Sequence, residues 1–206
     1  MKALTKVSVK ETYQNIRNMI ASKELIGGER VTYDVLSHKI QVDLKTVKKA
    51  LKKLQADCLI IAVPDEGLVV RNFSYTDILE TFDCRTALET MAVKQFTLKA
   101  PQAKIDDLRN LLVPFEKGPI SARVFQKIDF HFHDIILANC GNTCAYELFD
   151  RGNLWLCMEV IGLKRPLKEI LQEHLDMVSA IHNRDASRAV LLMRNHLENS
   201  KQAFLT

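Results

Sequence analysis

The sequence predicts a mainly α-helical protein of 206 residues, with three helices and a β-hairpin in its first third and an all-helical bundle behind them. Three observations support this fold class. Apolar residues recur at helical spacing along most of the chain. Runs of β-branched residues flank a single "PDEG" segment at 64–67. Every other interruption is a short polar, Gly or Pro break of the kind that separates helices.

The composition places the chain among ordinary globular proteins. It is 47% hydrophobic and 26% charged with 7 glycines, which excludes disordered and fibrous classes. The longest apolar runs fall far short of the roughly 20 residues of a membrane span, and the first residues lack the pattern of a signal peptide. A cytoplasmic protein is expected. The five cysteines are odd in number and show no CxxC spacing, so reduced thiols in the core are expected.

The net charge of +4 is unevenly distributed. Residues 1–73 contain 13 Lys or Arg against 8 Asp or Glu, whereas residues 74–206 contain 16 against 17. A basic first third joined to a neutral remainder is typical of a nucleic-acid-binding module attached to a second domain, although a solvated basic surface gives the same count.

The first 70 residues contain the elements of a winged helix-turn-helix in order. A first helix is expected up to "IGG" at 26–28, a second from the N-cap Thr32, and a third from the N-cap Asp43. The "PDEG" hairpin follows them. We therefore predict a winged helix-turn-helix domain at 1–73.

The remaining chain, residues 74–206, is expected to form an all-helical domain. Apolar stripes run through it without strand-like alternation, and five breaks divide it into about six helices. These breaks are "APQA" (100–103), "KGPIS" (117–121), "CGN" (140–142), "KRP" (164–166) and "NRDAS" (183–187).

The third helix has one apolar and one cationic face. Val47, Ala50, Leu51 and Leu54 recur at helical spacing, and four lysines occupy the opposite side: Lys45, Lys48, Lys49 and Lys52. In the major groove such lysines would act as point charges for phosphate oxygens. The alternative is a solvated lysine face, and the helix order and the hairpin favour DNA binding over it.

The segment "DFHFHD" at 129–134 and the last two helices carry candidate metal ligands. On a helix Asp129 and His133 lie on one side and His131 points elsewhere. His174 and His196 lie on or beside apolar faces, where a histidine needs a hydrogen-bond partner or a metal. If the helices converge, one carboxylate and three imidazoles suit zinc, nickel, manganese or iron. For any one of them, a hydrogen-bonded core histidine is the alternative.

Taken together, these motifs resemble the GntR family of bacterial transcription regulators, in the branch with an FCD domain, over about residues 9–205. The resemblance rests on the following segments: "GGER" (27–30), "VDLKTVKKALKKLQADCLI", "PDEGLVV", Glu80, Arg85, Leu88 and Glu89 in "DILETFDCRTALE", "DFHFHDIILANCGN", and "EHLDMVSAIHNRDASRAVLLMRNHL". About six helices behind the winged domain resemble the metal-containing subgroup more than the seven-helix acyl-CoA-binding type.

The resemblance implies a homodimeric, effector-responsive regulator of double-stranded DNA and not an enzyme. It implies that Asp129, His133, His174 and His196 bind a divalent metal, with zinc, nickel or manganese expected. It also implies that Arg85 pairs with the carboxylate of a small organic acid. The expected DNA contacts are Arg30, Lys45, Thr46, Lys48, Lys49 and Gly67.

The sequence departs from the family in its DNA-binding part. Asp34 replaces a basic residue, Asp43 and Leu44 replace the usual Ser-Arg, Lys48 replaces an arginine, and Asp65 and Glu66 make the wing acidic. The operator sequence therefore does not carry over.

Three alternatives remain open at this point: a metal-dependent hydrolase that uses the Asp and three His, a regulator that senses the metal itself, and a partner-binding module without DNA affinity.

Overall fold

A computed structural model describes residues 7–118, 121–152, 154, 158 and 162–205. The chain divides into two compact units, Met1–Ser74 and Tyr75–Thr206. Within the described part of the chain, no helix combines the length and the apolarity that crossing a bilayer requires.

The first unit contains three helices and a two-stranded antiparallel sheet in the predicted order. Thr32 and Asp43 are the N-caps of the second and third helices, as predicted, and each side chain accepts a hydrogen bond from a backbone N–H of the first turn. The elements are α1 (Val9–Ala21), α2 (Tyr33–Ile40), α3 (Leu44–Ala56), β1 (Ile60–Val63) and β2 (Gly67–Val70).

Helix α1 ends earlier than the sequence suggests. It begins with a capping box between Ser8 and Glu11 and ends at Ala21, before the expected stop at "IGG". Lys23 has a φ of 60°, which takes the chain out of the helix in the left-handed region. Leu25 is buried but lies beyond the helix.

The amphipathic character of α3 is confirmed. Val47, Ala50, Leu51 and Leu54 are fully buried, and the four predicted lysines are exposed on the other side. The buried apolar face packs α3 against α1 and α2. Because this packing fixes the orientation of the helix, the cationic face is exposed to solvent.

The hairpin forms the predicted wing. Ile60 pairs with Val70 and Val63 with Gly67. Gly67 has a φ of +85°, which glycine adopts without the steric cost that a side chain would add. Arg30 extends the pairing by an isolated bridge to Val69.

Six α-helices are present among the described residues of the second unit, with a short 3-10 helix, Val113–Phe115, after the second of them. Helix α4 packs mainly along α9, and α6 packs against α4 and α5. A continuous apolar core joins all six helices. They are α4 (Tyr75–Lys99), α5 (Gln102–Leu112), α6 (Ala122–Ala138), α7 (Thr143–Arg151), α8 (Leu167–His182) and α9 (Ala186–Gln202).

The prediction of core cysteines is wrong for most of those described. Cys58, Cys84 and Cys144 are exposed and only Cys140 is buried, although all four are free thiols. Cys84 is exposed because it falls outside the apolar stripe of α4, and Cys58 lies in the turn after α3 with a φ of 56°. Cys157 lies outside the described residues.

Candidate metal centre and nucleic-acid interface

Four side chains from three helices meet inside the second unit. Asp129 and His133 project from α6, His174 from α8 and His196 from α9. All four are buried, and one donor atom from each lies within 4.8 Å of the others. A metal held at about 2.0 to 2.2 Å separates donors on opposite sides of it by about 4.0 to 4.4 Å, which is close to this spread.

Three of the four residues at the centre have a buried donor atom without a hydrogen bond among the described residues. Asp129 Oδ1, His133 Nε2 and both ring nitrogens of His174 are buried without a partner. Asp129 Oδ1 lies 3.9 Å from His133 Nε2 and 3.5 Å from His174 Nε2. An unpartnered buried polar atom costs about 1 to 3 kcal/mol, and a bound cation would remove this cost for one atom of each of the three residues. The donor set therefore fits a divalent transition metal.

A carboxylate orients His133 from behind. Its Nδ1 contacts Oε2 of Glu89, which projects from α4 and is fully buried. The other oxygen of Glu89 accepts a hydrogen bond of 2.7 Å from Arg85 Nε. A carboxylate on Nδ1 fixes the ring so that Nε2 presents its lone pair to the centre.

A second carboxylate orients His196 in the same way. Glu173 Oε2 accepts a hydrogen bond of 2.8 Å from His196 Nδ1. The same carboxylate accepts two bonds from Arg165, of 2.7 and 2.8 Å, and one of 2.9 Å from Asn199. His196 Nε2 is thereby left to face the centre.

Burial favours the neutral imidazole at His174 and His196, and the supporting carboxylate of Glu89 is ionised. Burial lowers the pKa of His174 well below its ordinary value, and the neighbouring imidazoles and Arg85 lower it further. Burial also lowers the pKa of His196, against the opposite effect of its bond to Glu173. Burial opposes ionisation of Glu89, but Arg85 and His133 outweigh it and lower its pKa to about 2. Neutral imidazole is the form that binds metals.

An aromatic ring fixes His174, for which no supporting carboxylate is found among the described residues. Phe132 stacks on the imidazole with 4.1 Å between ring centroids and 10° between the planes. Phe132 directly precedes His133 on α6, so one residue orients His174 and the next places its own imidazole at the centre.

A small cavity opens beside the centre. It encloses about 30 Å³ between the described residues, room for about one water molecule. Arg85 Nε is bound to Glu89, and the guanidinium lies 5.3 Å from the Phe82 ring. The residues that line this cavity include Thr81, Phe82, Arg85, Asp129, Lys164, Arg165, His196, Ser200 and Phe204.

The structure distinguishes the predicted site residues from the other histidines. His131 is exposed on the far side of α6, and His182 is exposed at the end of α8. Arg85 faces the cavity and also forms a buried ion pair with Glu89. Metal binding by the four ligands and effector binding by Arg85 stay predictions.

The predicted DNA contacts all lie on the first unit, some on α3 and the others at the wing. Lys45, Lys48 and Lys49 are exposed on α3, and Thr46 is half-buried in its first turn. Lys48 Nζ lies 5.3 Å from the centroid of the Tyr33 ring of α2. Arg30 is exposed, and its guanidinium lies beside Gly67 of the wing.

Glu89 and Glu173 are the residues whose roles the sequence did not reveal. Each supports one histidine, and each is itself held by an arginine. The spacing of Arg85 and Glu89, one helical turn apart, could have suggested an ion pair. Nothing in the sequence links Glu173 to His196, because they lie on different helices.

Comparison with known proteins gives the family. Residues 80–199 match the FCD domain, and residues 8–70 match the bacterial regulatory proteins of the gntR family. The HTH-type transcriptional repressor GlaR of Escherichia coli is 26% identical over 199 residues, which cover 90% of each chain. The HTH-type transcriptional regulator BphR of Paraburkholderia xenovorans is 25% identical, covering 93% of this chain and 83% of that one.

A solved structure shares the fold. A transcriptional regulator GntR from Rhodococcus sp. RHA1 matches with a TM-score of 0.77 at 18% identity, over 96% of this chain and 97% of that chain. The family is one of DNA-binding regulators, which sets the hydrolase alternative aside. The chain belongs to the gntR family of bacterial regulatory proteins, in the branch that carries an FCD domain, and is a transcriptional regulator.

Proposed function

We propose that this regulator binds a divalent transition metal at Asp129, His133, His174 and His196, and that a small carboxylate bound beside the metal controls its affinity for an operator. The observation that carries the proposal is the convergence of four buried donor groups, three of which have an atom without a hydrogen bond among the described residues. Zinc, nickel and manganese suit one carboxylate and three imidazoles.

Arg85 is the residue proposed to hold the effector. When bound, the metal supplies a Lewis acid to which a carboxylate oxygen can coordinate. The guanidinium lines the same cavity as Asp129 and His196, and only its Nε is committed to Glu89 among the described contacts. A planar fork of this kind suits a carboxylate. Because the cavity is small, we expect the effector to be small or to displace the cavity's lining.

DNA binding is proposed to use α3 and the wing of each subunit of a homodimer. The contacts are Arg30, Lys45, Thr46, Lys48, Lys49 and Gly67. Two recognition helices are needed to reach half-sites about 34 to 36 Å apart. The effector would act by binding one arrangement of the dimer more tightly than another.

The proposed metal site is tested by measuring the metal content of the protein. Purified protein should contain about one transition metal ion per chain by elemental analysis. His174→Gln should lose it, because a donor at the centre is removed while the side chain stays polar and of similar size. His131→Gln is the matched control, since His131 is exposed on the same helix as two ligands. Equal metal content in both variants would refute the assignment.

The effector part is tested by DNA binding at fixed salt. Affinity for genomic fragments is measured by fluorescence anisotropy with and without a panel of small carboxylates. An active carboxylate should change the affinity of the wild type, and Arg85→Lys should weaken that response, because lysine keeps the charge but loses the fork. A response unchanged by Arg85→Lys would contradict the role of Arg85.

Metal sensing is a second candidate, favoured by the small volume of the cavity. In that case DNA affinity would follow metal occupancy alone. Removal and return of the metal, with no carboxylate present, separates this candidate from the first.

A further inference from the structure

The cationic face of α3 contains one exposed apolar side chain. Leu44 is 42% exposed, whereas the other large apolar residues of α3 are fully buried. It lies on the same stripe as Lys48, one turn away, and a shallow surface depression is lined by Leu44 and the four lysines. The side chain is therefore displayed on the surface that the lysines make attractive to a polyanion.

Leu44 also occupies the position from which a recognition helix reaches bases. It is the first residue of α3, directly after the N-cap Asp43. In a helix-turn-helix, the amino-terminal residues of the second helix contact base edges while flanking cations contact phosphates. The surrounding lysines would thus place Leu44 against the floor of the major groove.

The rest of α3 offers little for direct recognition of bases. Its sequence, "LKTVKKALKKLQA", contains no arginine or asparagine, and its one glutamine lies in the last turn. Lysine is a flexible point charge suited to phosphate, and Lys48 is also held near the Tyr33 ring. In the first turn, Leu44 is the exposed apolar side chain, whereas Thr46 is half-buried and offers a single methyl group. The apolar feature of the major groove is the C5 methyl group of thymine.

We propose that Leu44 contacts a thymine methyl group in each half-site and so selects operators with thymine at that position. The contact excludes water from both groups, and burial of one methyl group corresponds to about a fourfold gain in affinity. The inference rests on the operator binding in the proposed function, and it does not depend on the metal or the effector.

The test deletes the methyl group alone. Binding sites are first selected from a random duplex library with the full-length protein. Each thymine of the tightest site is then replaced singly by deoxyuridine, which has hydrogen in place of the methyl group and keeps the same base-pairing edge. We expect one replacement per half-site to weaken wild-type binding about fourfold at fixed salt.

Two variants assign the effect to Leu44. Leu44→Ala should bind the thymine and deoxyuridine sites equally, and alanine at the start of a helix preserves the fold. Ile26→Ala is the control, because Ile26 is 59% exposed on the same unit but lies outside α2 and α3. It should keep the fourfold difference.

The outcomes separate this inference from the function on which it rests. Two results would overturn the role of Leu44 and leave operator binding intact. One is equal wild-type affinity for every deoxyuridine-substituted site, and the other is an affinity difference between thymine and deoxyuridine sites that persists in Leu44→Ala. Failure to bind any duplex at low salt would overturn both.

Discussion

Replacement of Glu173 by glutamine should weaken metal binding although Glu173 is not itself a ligand. Its carboxylate holds His196 by one hydrogen bond and is held by Arg165 and Asn199. These bonds outweigh the effect of burial and lower the pKa of Glu173 to about 2, so the group is ionised at neutral pH. Glutamine keeps the shape but removes the charge and turns one acceptor into a donor.

The size of the effect depends on which end of the amide faces His196. When the amide oxygen faces His196 Nδ1, the tautomer is kept and only the charge is lost. The metal affinity should then fall about tenfold, the smaller of the two expected losses. When the amide nitrogen faces His196 Nδ1, two donors oppose each other and the tautomer that leaves Nε2 free is disfavoured. The metal affinity should then fall about a hundredfold, the larger of the two expected losses. In free energy the range is about 1.4 to 2.7 kcal/mol.

Competition titration with a chromophoric zinc chelator measures this affinity directly. Glu169→Gln is the matched control, because Glu169 lies on the same helix and contacts the same Arg165 at 3.4 Å, yet it is 60% exposed and is not among the described partners of His196. We expect less than a twofold change in the control. Equal affinities in the two variants, with the helical content of both intact, would refute the orienting role of Glu173.

Three further predictions follow from the second unit and the basic helix. Arg85→Met should destabilise the protein by about 3 to 5 kcal/mol in urea denaturation, because the buried Glu89 loses its arginine partner, and adding Glu89→Leu should recover only part of the loss, because His133 Nδ1 then loses its own partner. The metal-free protein should lose stability as the pH falls below about 6.5: the pKa of His174 is lowered in the folded state, so the unfolded chain binds more protons there. A urea midpoint that does not change between pH 8 and pH 5.5 would contradict this. Lys48→Ala should reduce the slope of log affinity against log salt by about 2 for the dimer, or about 1 for each subunit, with every DNA sequence tested, and a sequence-dependent loss would mean that Lys48 contacts a base.

Local patterns in the sequence determined the elements of the fold. Polar N-caps at Thr32 and Asp43 mark where helices begin, because their side chains satisfy backbone N–H groups of the first turn. The apolar stripe of α3 fixes which face is buried, and hence that its lysines are exposed. The end of α1 was misplaced because a glycine pair is a strong turn signal even when the helix has already ended.

The sequence also divided the segment "DFHFHD" correctly, since helical geometry alone puts Asp129 and His133 on one side and His131 on the other. The spacing of residues on one helix is a local property, and it survives in any fold that keeps the helix.

Only the tertiary structure decided that His174 and His196 meet that pair, and that Glu89 and Glu173 stand behind two of the rings. These contacts join residues on α4, α6, α8 and α9. They depend on how the apolar stripes of four helices pack into one core, and periodicity along a single helix carries no information about that packing.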